Sequence, residues 1–297
     1  YDISACLVGS EMCIRDRNIH MSMKINKNHL FLLLSVSLVL FSSCSDSLSD
    51  TTDGRLRYWI STLASDEFEG RAPGTEGGKL TKNFISKTFQ DLSLDPVSGE
   101  YLHKVPASEI TLKDSSYLTL SFRGNDRKMI TGQEVVFWTK QAREYRKIRD
   151  SEVVFVGYGI VAPEYNWNDY EGIDVKGKTV VILINDPGFA TGRLRLFNGR
   201  SMTYYGRWTY KFEEAARQGA AAAIIVHEEE PAAYPWSVVE NSWQGPQLDL
   251  QREDLGADRA ILEGWIRDIT LDEVLNFTGF NYQSLKEIAL ELSLIHI

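Results

Sequence analysis

The stretch MTYYGRWTYKFEEAARQGAAAAIIVHE, from Met202 to Glu228, decides the fold class. After an aromatic, loop-like opening, Phe212, Ala215, Ala216 and Gly219 recur at three- and four-residue steps, which predicts a helix with one apolar stripe. Ala220 to Val226 is then a short, unbroken apolar run, the pattern of a strand buried on both faces. A matching run, Thr179 to Ile184, lies upstream behind Lys176-Gly177-Lys178. Two such strands flanking one helix predict an α/β layer with a partly parallel, mixed sheet.

Working outward, Glu152 to Ile160 is a further strand candidate. Gly157-Tyr158-Gly159-Ile160-Val161-Ala162 fits the dinucleotide pattern G-x-G-x-x-A in form. That fingerprint needs a helix opening at its glycines. Here Pro163, Asn166, Asn168 and Asp169 follow, which are loop formers, so the glycines read as a tight bend at a strand end and a nucleotide-dependent oxidoreductase is disfavoured. The strand Thr179 to Ile184 closes at the turn Asn185-Asp186-Pro187-Gly188. Pro231 to Gln247 places Tyr234, Trp236 and Trp243 among turn residues, as a binding edge or as packing. Gly264-Trp265-Ile266 is a short apolar return, and Leu271 to Leu292 holds two helical segments.

Toward the N-terminus, Val105 to Phe122 alternates like strand material, and 123–150 is polar apart from Trp138; a unit boundary is expected within Thr111 to Lys128. Leu80, Phe84, Ile85, Thr88, Phe89 and Leu92 outline a helix with Thr75 as its N-cap. Ahead of it, EFEGRAPGTEGG (Glu67 to Gly78) is a glycine-rich loop without the G-x-x-x-x-G-K-[ST] arrangement of a phosphate cradle. Leu56, Trp59, Ile60 and Leu63 outline an earlier helix that runs out near Ser65-Asp66.

The chain has 297 residues, enough for one large domain or two ordinary ones. Acidic residues outnumber basic ones, 41 to 32, with no Lys/Arg block, which argues against nucleic acid as a partner. From Met23, Lys24 and Lys27 precede an apolar stretch, Leu30 to Phe41, too short to span a bilayer and laid out as a signal peptide. It ends in Phe41-Ser42-Ser43-Cys44, which resembles a bacterial lipoprotein box with Cys44 as the lipidated residue. An ordinary secretory signal is the plainer alternative. The resemblance implies export to the bacterial cell envelope and a lipid anchor in the membrane, in the outer membrane or periplasm, with Ser45 to Asp53 as a tether. All three cysteines, Cys6, Cys13 and Cys44, lie in this leader region, so the body has neither disulfide nor thiolate metal site. The first residues, YDISACLVGSEMCIRDR, and the final SLIHI resemble translated sequencing adapters. That implies a native chain starting at Met21 or Met23 and continuing beyond about Leu292, where 297 residues are given.

FVGYGI, GKTVVILIND and YYGRWTYKFEEAARQGAAAAIIVHE resemble a protease-associated (PA) domain. LASDEFEGRAPGTEGGKLTKNFISKTFQDLSL resembles the first helices of the co-catalytic zinc aminopeptidases, MH-clan metallopeptidases that carry such a domain as an insert. The resemblance implies read-through over 1–20, a signal peptide over 21–44, a tether over 45–54 and an N-terminal peptidase piece over 55–115. It continues with a PA domain over 116–270, a return to the peptidase domain over 271–292, and read-through over 293–297. It also implies two zinc ions, held by His and carboxylates, that activate a water against a peptide carbonyl while a Glu shuttles the proton.

The histidines are His20, His29, His103, His227 and His296, and none sits in an H-E-x-x-H or His-x-Asp motif. In the resembling proteins the ligands lie downstream, in a C-terminal zinc-binding domain that becomes the implied partner; this chain alone is expected to have no metal or catalytic residues. Tyr204, Tyr205, Arg207 and Trp208 are the substrate-binding candidates: an arginine among aromatics suits a peptide carboxylate, and packing against a neighbouring domain is the equal alternative. Arg71 either lines a cleft or pairs with Glu67 or Glu69. His227 reads as structural at a strand end, with a substrate edge or weak metal contact as the alternative. The whole is read as the N-terminal part of an exported zinc aminopeptidase acting on peptide substrates. The alternative is a non-catalytic lipoprotein with a peptide-binding or interaction domain.

Overall fold

The computed structural model describes residues 51–291; the lipidation, signal-peptide and adapter readings fall outside them. The chain divides into two compact units after His103.

In the first unit, helix α1 (Thr52–Leu63) is capped by Thr51, whose side chain accepts from the Gly54 N–H, so the helix begins inside the expected tether. A 3-10 segment, Asp66–Arg71, leads to helix α2 (Glu76–Asp91), where Thr75 caps by accepting from the Gly78 N–H at 3.1 Å. The glycines of the loop serve packing. A Cβ on Gly77 would stand 2.1 Å from the Phe68 carbonyl oxygen, and one on Gly78 would stand 2.2 Å from that of Ala72. Phe68 packs edge-on against Phe84 at 6.0 Å and is the buried hydrophobic residue of this unit.

In the second unit, β1 (Ala107–Ile110) is followed by a hairpin of β2 (Thr119–Phe122) and β3 (Asn125–Lys128), then β4 (Val135–Trp138). Next come β5 (Val153–Phe155), the small hairpin of β6 (Val161–Ala162) and β7 (Trp167–Asn168), and β8 (Thr179–Leu183). Helix α3 (Pro187–Thr191) and helix α4 (Trp208–Arg217) precede β9 (Ala222–His227), followed by α5 (Glu229–Ala232) and α6 (Trp236–Ser242). The chain continues through β10 (Gln247–Leu250), β11 (Leu262–Arg267), α7 (Asp268–Thr278) and α8 (Tyr282–Ile288).

The main sheet has the order β4-β11-β9-β8-β5, parallel throughout except for β4, which runs antiparallel to β11. This is the mixed sheet expected from the two apolar runs. Alternate residues feed opposite layers. Val154, Val180, Ile182, Ala223, Ile225 and Trp265 pack with Phe212 and Ala215 of α4. Phe155, Val181, Leu183, Ile224, Val226 and Ile266 pack with Leu271 and Val274 of α7 and Leu285 of α8. The strands read as unbroken apolar runs because helices cover both faces. Gly264 is the exception in β11: a Cβ there would meet the Val136 carbonyl oxygen at 2.6 Å, so the side-chain-free residue lets β4 close the sheet edge.

Three expectations need correction. The unit division precedes the 111–128 window, because β1 pairs with β10 in register Ala107↔Leu250 and ties 107–110 to the second unit. The stretch 123–150, read as polar, supplies the fully buried β4, four apolar residues set among charged ones. Pro231 to Gln247 is largely helical, and its aromatics are packed: Trp243 stacks on Trp138 with centroids 3.3 Å apart, and Trp236 is buried with its Nε1 donating to the Gly132 carbonyl. The bend at Gly157 and Gly159, both at positive φ, leads into the β6–β7 hairpin with no helix opening there.

Candidate functional site

In open α/β sheets the loops beyond the carboxyl ends of parallel strands are where ligands gather. Here those loops follow β5, β8 and β9, and the first two meet α4 at a buried charge cluster. Lys211 of α4 is fully buried, as are Asp169 and Asp186. Its Nζ donates to the Tyr158 carbonyl at 2.6 Å. Both carboxylates are saturated with donors. Asp169 accepts from the Ile160 N–H at 2.9 Å and from Trp167 Nε1 at 2.8 Å. Asp186 accepts from the Gly188 N–H at 3.1 Å and from both the backbone N–H and the hydroxyl of Thr203, the latter at 2.7 Å.

Burial pulls the Lys211 ammonium well below its ordinary value, and the fields of Asp169 and Asp186 oppose that shift. Burial likewise raises the Asp169 and Asp186 carboxyls against their hydrogen bonds and the lysine's field. Perturbed groups of this kind mark active sites when a ligand can reach them. No such access exists here: the cluster lies inside the fold, where it pins the 157–170 and 185–206 loops to α4. Sequence reading passed over it. The available signal was Lys211 itself, which shares the helical stripe of Trp208, Phe212 and Ala215 and would be solvated on an ordinary amphipathic helix.

The substrate-binding candidates do not form one site. Tyr204 is 60% exposed and donates to Glu213 Oε2 at 3.0 Å. Half-buried Tyr205 donates to Glu164 Oε1 at 2.6 Å; that bond pushes its hydroxyl up to about 12 and holds the Glu164 carboxyl below its usual range. Tyr205 packs with Phe197 and Tyr210 in the layer of α7 and α8, whereas Trp208 packs with Phe212 and Trp243 in the opposite layer. Arg207 is exposed, with no side-chain hydrogen bond or ion pair among the described residues. Arg71 pairs with neither Glu67 nor Glu69. Its Nη1 donates to the Leu63 carbonyl at 2.7 Å, and so satisfies an end carbonyl of α1. His103 is exposed and His227 is buried at the end of β9.

Two shallow cavities are open to solvent. One, of ≈ 260 Å³, is lined by Val161, Pro163, Trp167 and Glu171 beside the β6–β7 hairpin. The other, of ≈ 300 Å³, lies between the β2–β3 hairpin and α7 and is lined by Leu120, Phe122, Val274 and Phe277. Neither is lined by the charge cluster. Among the described residues no three His, Cys, Asp or Glu side chains form a group that could hold a metal ion. With Asp169 and Asp186 engaged around Lys211 and His227 enclosed by aromatic rings, these residues do not fit the two-zinc centre that the sequence resemblance implies.

No family model matches the chain, and no curated protein matches it. Among solved structures it is similar to the aminopeptidase from Aneurinibacillus sp. strain AM-1, with 17% identity over 75% of this chain and a TM-score of 0.32. The chain spans 43% of the length of that protein. A superposition this loose transfers no residue from one chain to the other.

Proposed function

We propose that the chain forms the N-terminal portion of an exported zinc aminopeptidase, in which a protease-associated domain accompanies a metal-binding domain encoded beyond residue 292. The observation that carries this reading is the unfinished core of residues 51–103. No residue of α1 is buried, and the buried residues of α2 are Gly77 and Gly78. Large apolar side chains of both helices stand in solvent: Ile60 is 65% exposed, Leu56 46% and Phe89 41%. Two helices of this size cannot bury enough apolar surface to offset their ordering, so the unit is built to be completed by further chain. The resemblance of this stretch to the first helices of a split peptidase domain supports the same reading. In it the present chain supplies scaffold and substrate edge, and the two zinc ions and their ligands belong to the downstream domain.

The second reading, a non-catalytic lipoprotein with a peptide-binding domain, is favoured by the exposed Arg207 beside Tyr204. The two are separated by assaying the reading frame continued past residue 292 beside residues 45–292 alone, on an aminoacyl nitroanilide with added zinc. The proposal expects turnover from the continued frame and none from the piece, and the binding-module reading expects none from either; zinc-dependent hydrolysis by the piece alone, or none by the continued frame, would overturn the proposal.

A further inference from the structure

His227 closes β9 inside a cage of rings. Tyr234, Trp236 and Trp265 stand at centroid distances of 5.5, 5.6 and 6.0 Å, and the residue is 2% exposed. The backbone of Tyr234 hydrogen-bonds the imidazole, while Nε2 has no hydrogen-bond partner among the described residues. That contact favours the protonated ring, and Nε2 is left without a partner inside the cage. Nε1 of Trp265, whose ring centroid is 6.0 Å away, is also without a partner among the described residues.

Tyr234 and Trp236 belong to the 228–243 segment, which joins no ladder of the sheet. Besides His227, it is held by the buried side chains of Ala232, Trp236 and Val239, by the stacking of Trp243 on Trp138, by Asn185 Nδ2 donating to the Pro231 carbonyl at 2.8 Å and by Trp236 Nε1 donating to the Gly132 carbonyl at 2.7 Å. At its start Glu228 pairs with Lys286 of α8. We propose that His227 is an acid-sensitive latch: its neutral ring holds the 228–243 segment against the end of the sheet, and protonation of the ring releases that segment.

Protonation would put an N–H on Nε2 with no acceptor among the described residues, and would place a charge where three rings exclude water. Charged groups bear on the ring from three elements: Asp268 at the start of α7 and Glu229 in α5 favour the imidazolium, and Arg267, its register partner on β11, opposes it. From α6 the ring meets Trp236. Burial outweighs the Tyr234 backbone bond and the two carboxylates, all of which favour the imidazolium, and holds the imidazole below its ordinary value of 6.5. The released form therefore binds more protons between that value and the lower one of the closed form. The closed form is at full stability above 6.5 and loses it as pH falls toward its own lower value, by up to about tenfold in the opening equilibrium per pH unit. Asp169 and Asp186 also take up protons in acid, and a substitution at His227 leaves their contribution in place.

The test combines imidazole titration by NMR and amide hydrogen exchange between about pH 7.5 and 5.5, roughly one unit either side of the ordinary histidine value, on the wild-type chain and His227→Gln. The latch predicts that His227 titrates below the ordinary value of 6.5. It also predicts that protection over 228–243, corrected for intrinsic exchange, falls by up to about tenfold per pH unit while β8 stays protected, and that His227→Gln removes this pH dependence. Titration of His227 at or above 6.5, equal acid loosening of β8, or an unchanged acid response in the variant would overturn it. Should the variant fail to fold, the exchange pattern of the wild-type chain decides alone.

Discussion

Lys211 sits on the α4 stripe that faces the sheet, and two carboxylates turn inward to meet it from separate loops. Replacing it with Met keeps most of the volume, leaves the Tyr158 carbonyl without its donor and removes the positive field at Asp169 and Asp186, which should cost about 1–3 kcal/mol. Because burial already raises the Asp169 carboxyl, the variant can relieve the penalty by protonating it. The deficit of Lys211→Met in denaturant unfolding should therefore shrink as pH is lowered; a deficit independent of pH, or none, would contradict the assignment. At this scale the sequence was only partly readable. Thr75 was legible as a cap because a cap is a local device. Asp169 and Asp186 were not, since both stand in ordinary turn sequences and acquire meaning only when the strands align their loops with α4. Arg71 gave a similar lesson: its partner is a helix-end carbonyl, with no side-chain signature to betray it.

The elements followed the periodicity of the chain wherever the period was unbroken. The α4–β9 pair was readable because its stripe and apolar run are consecutive, and β8 for the same reason. β4 escaped because four apolar residues inside a charged stretch look like chance, and its burial is decided by β11, about 125 residues downstream by the sequence-separation reasoning of long-range pairing. α6 escaped because aromatic residues among turn formers suggest a surface, whereas Trp243 in fact covers Trp138. The β4–β11 contact offers a sharp test. Gly264→Ala puts a methyl 2.6 Å from the Val136 carbonyl oxygen, and relief requires the two strands to part. A loss of about 1–3 kcal/mol is expected in thermal or denaturant unfolding. An unchanged midpoint would mean that β4 does not lie as close to β11 as described.

The described residues form one unit with a core on both faces of a sheet and one helical unit without such a core. Local stability follows buried apolar contact. Residues 51–103 should therefore be cleaved in limited proteolysis, and exchange their amides, well before β8, β9 and β11 of the second unit; equal protection of the two units would contradict the unfinished core. The mixed α/β class was legible from two apolar runs and a helix. The function was not legible to the same depth, because candidates adjacent in sequence separate on folding: Tyr205 packs in one layer and Trp208 in the opposite one. The central claim is tested most directly by expressing the uninterrupted reading frame through residue 292 and onward and measuring hydrolysis of an aminoacyl nitroanilide before and after chelation. The account predicts turnover that chelation abolishes and zinc restores. A product that binds peptide but shows no zinc-dependent turnover would contradict it and leave the binding-module reading in its place.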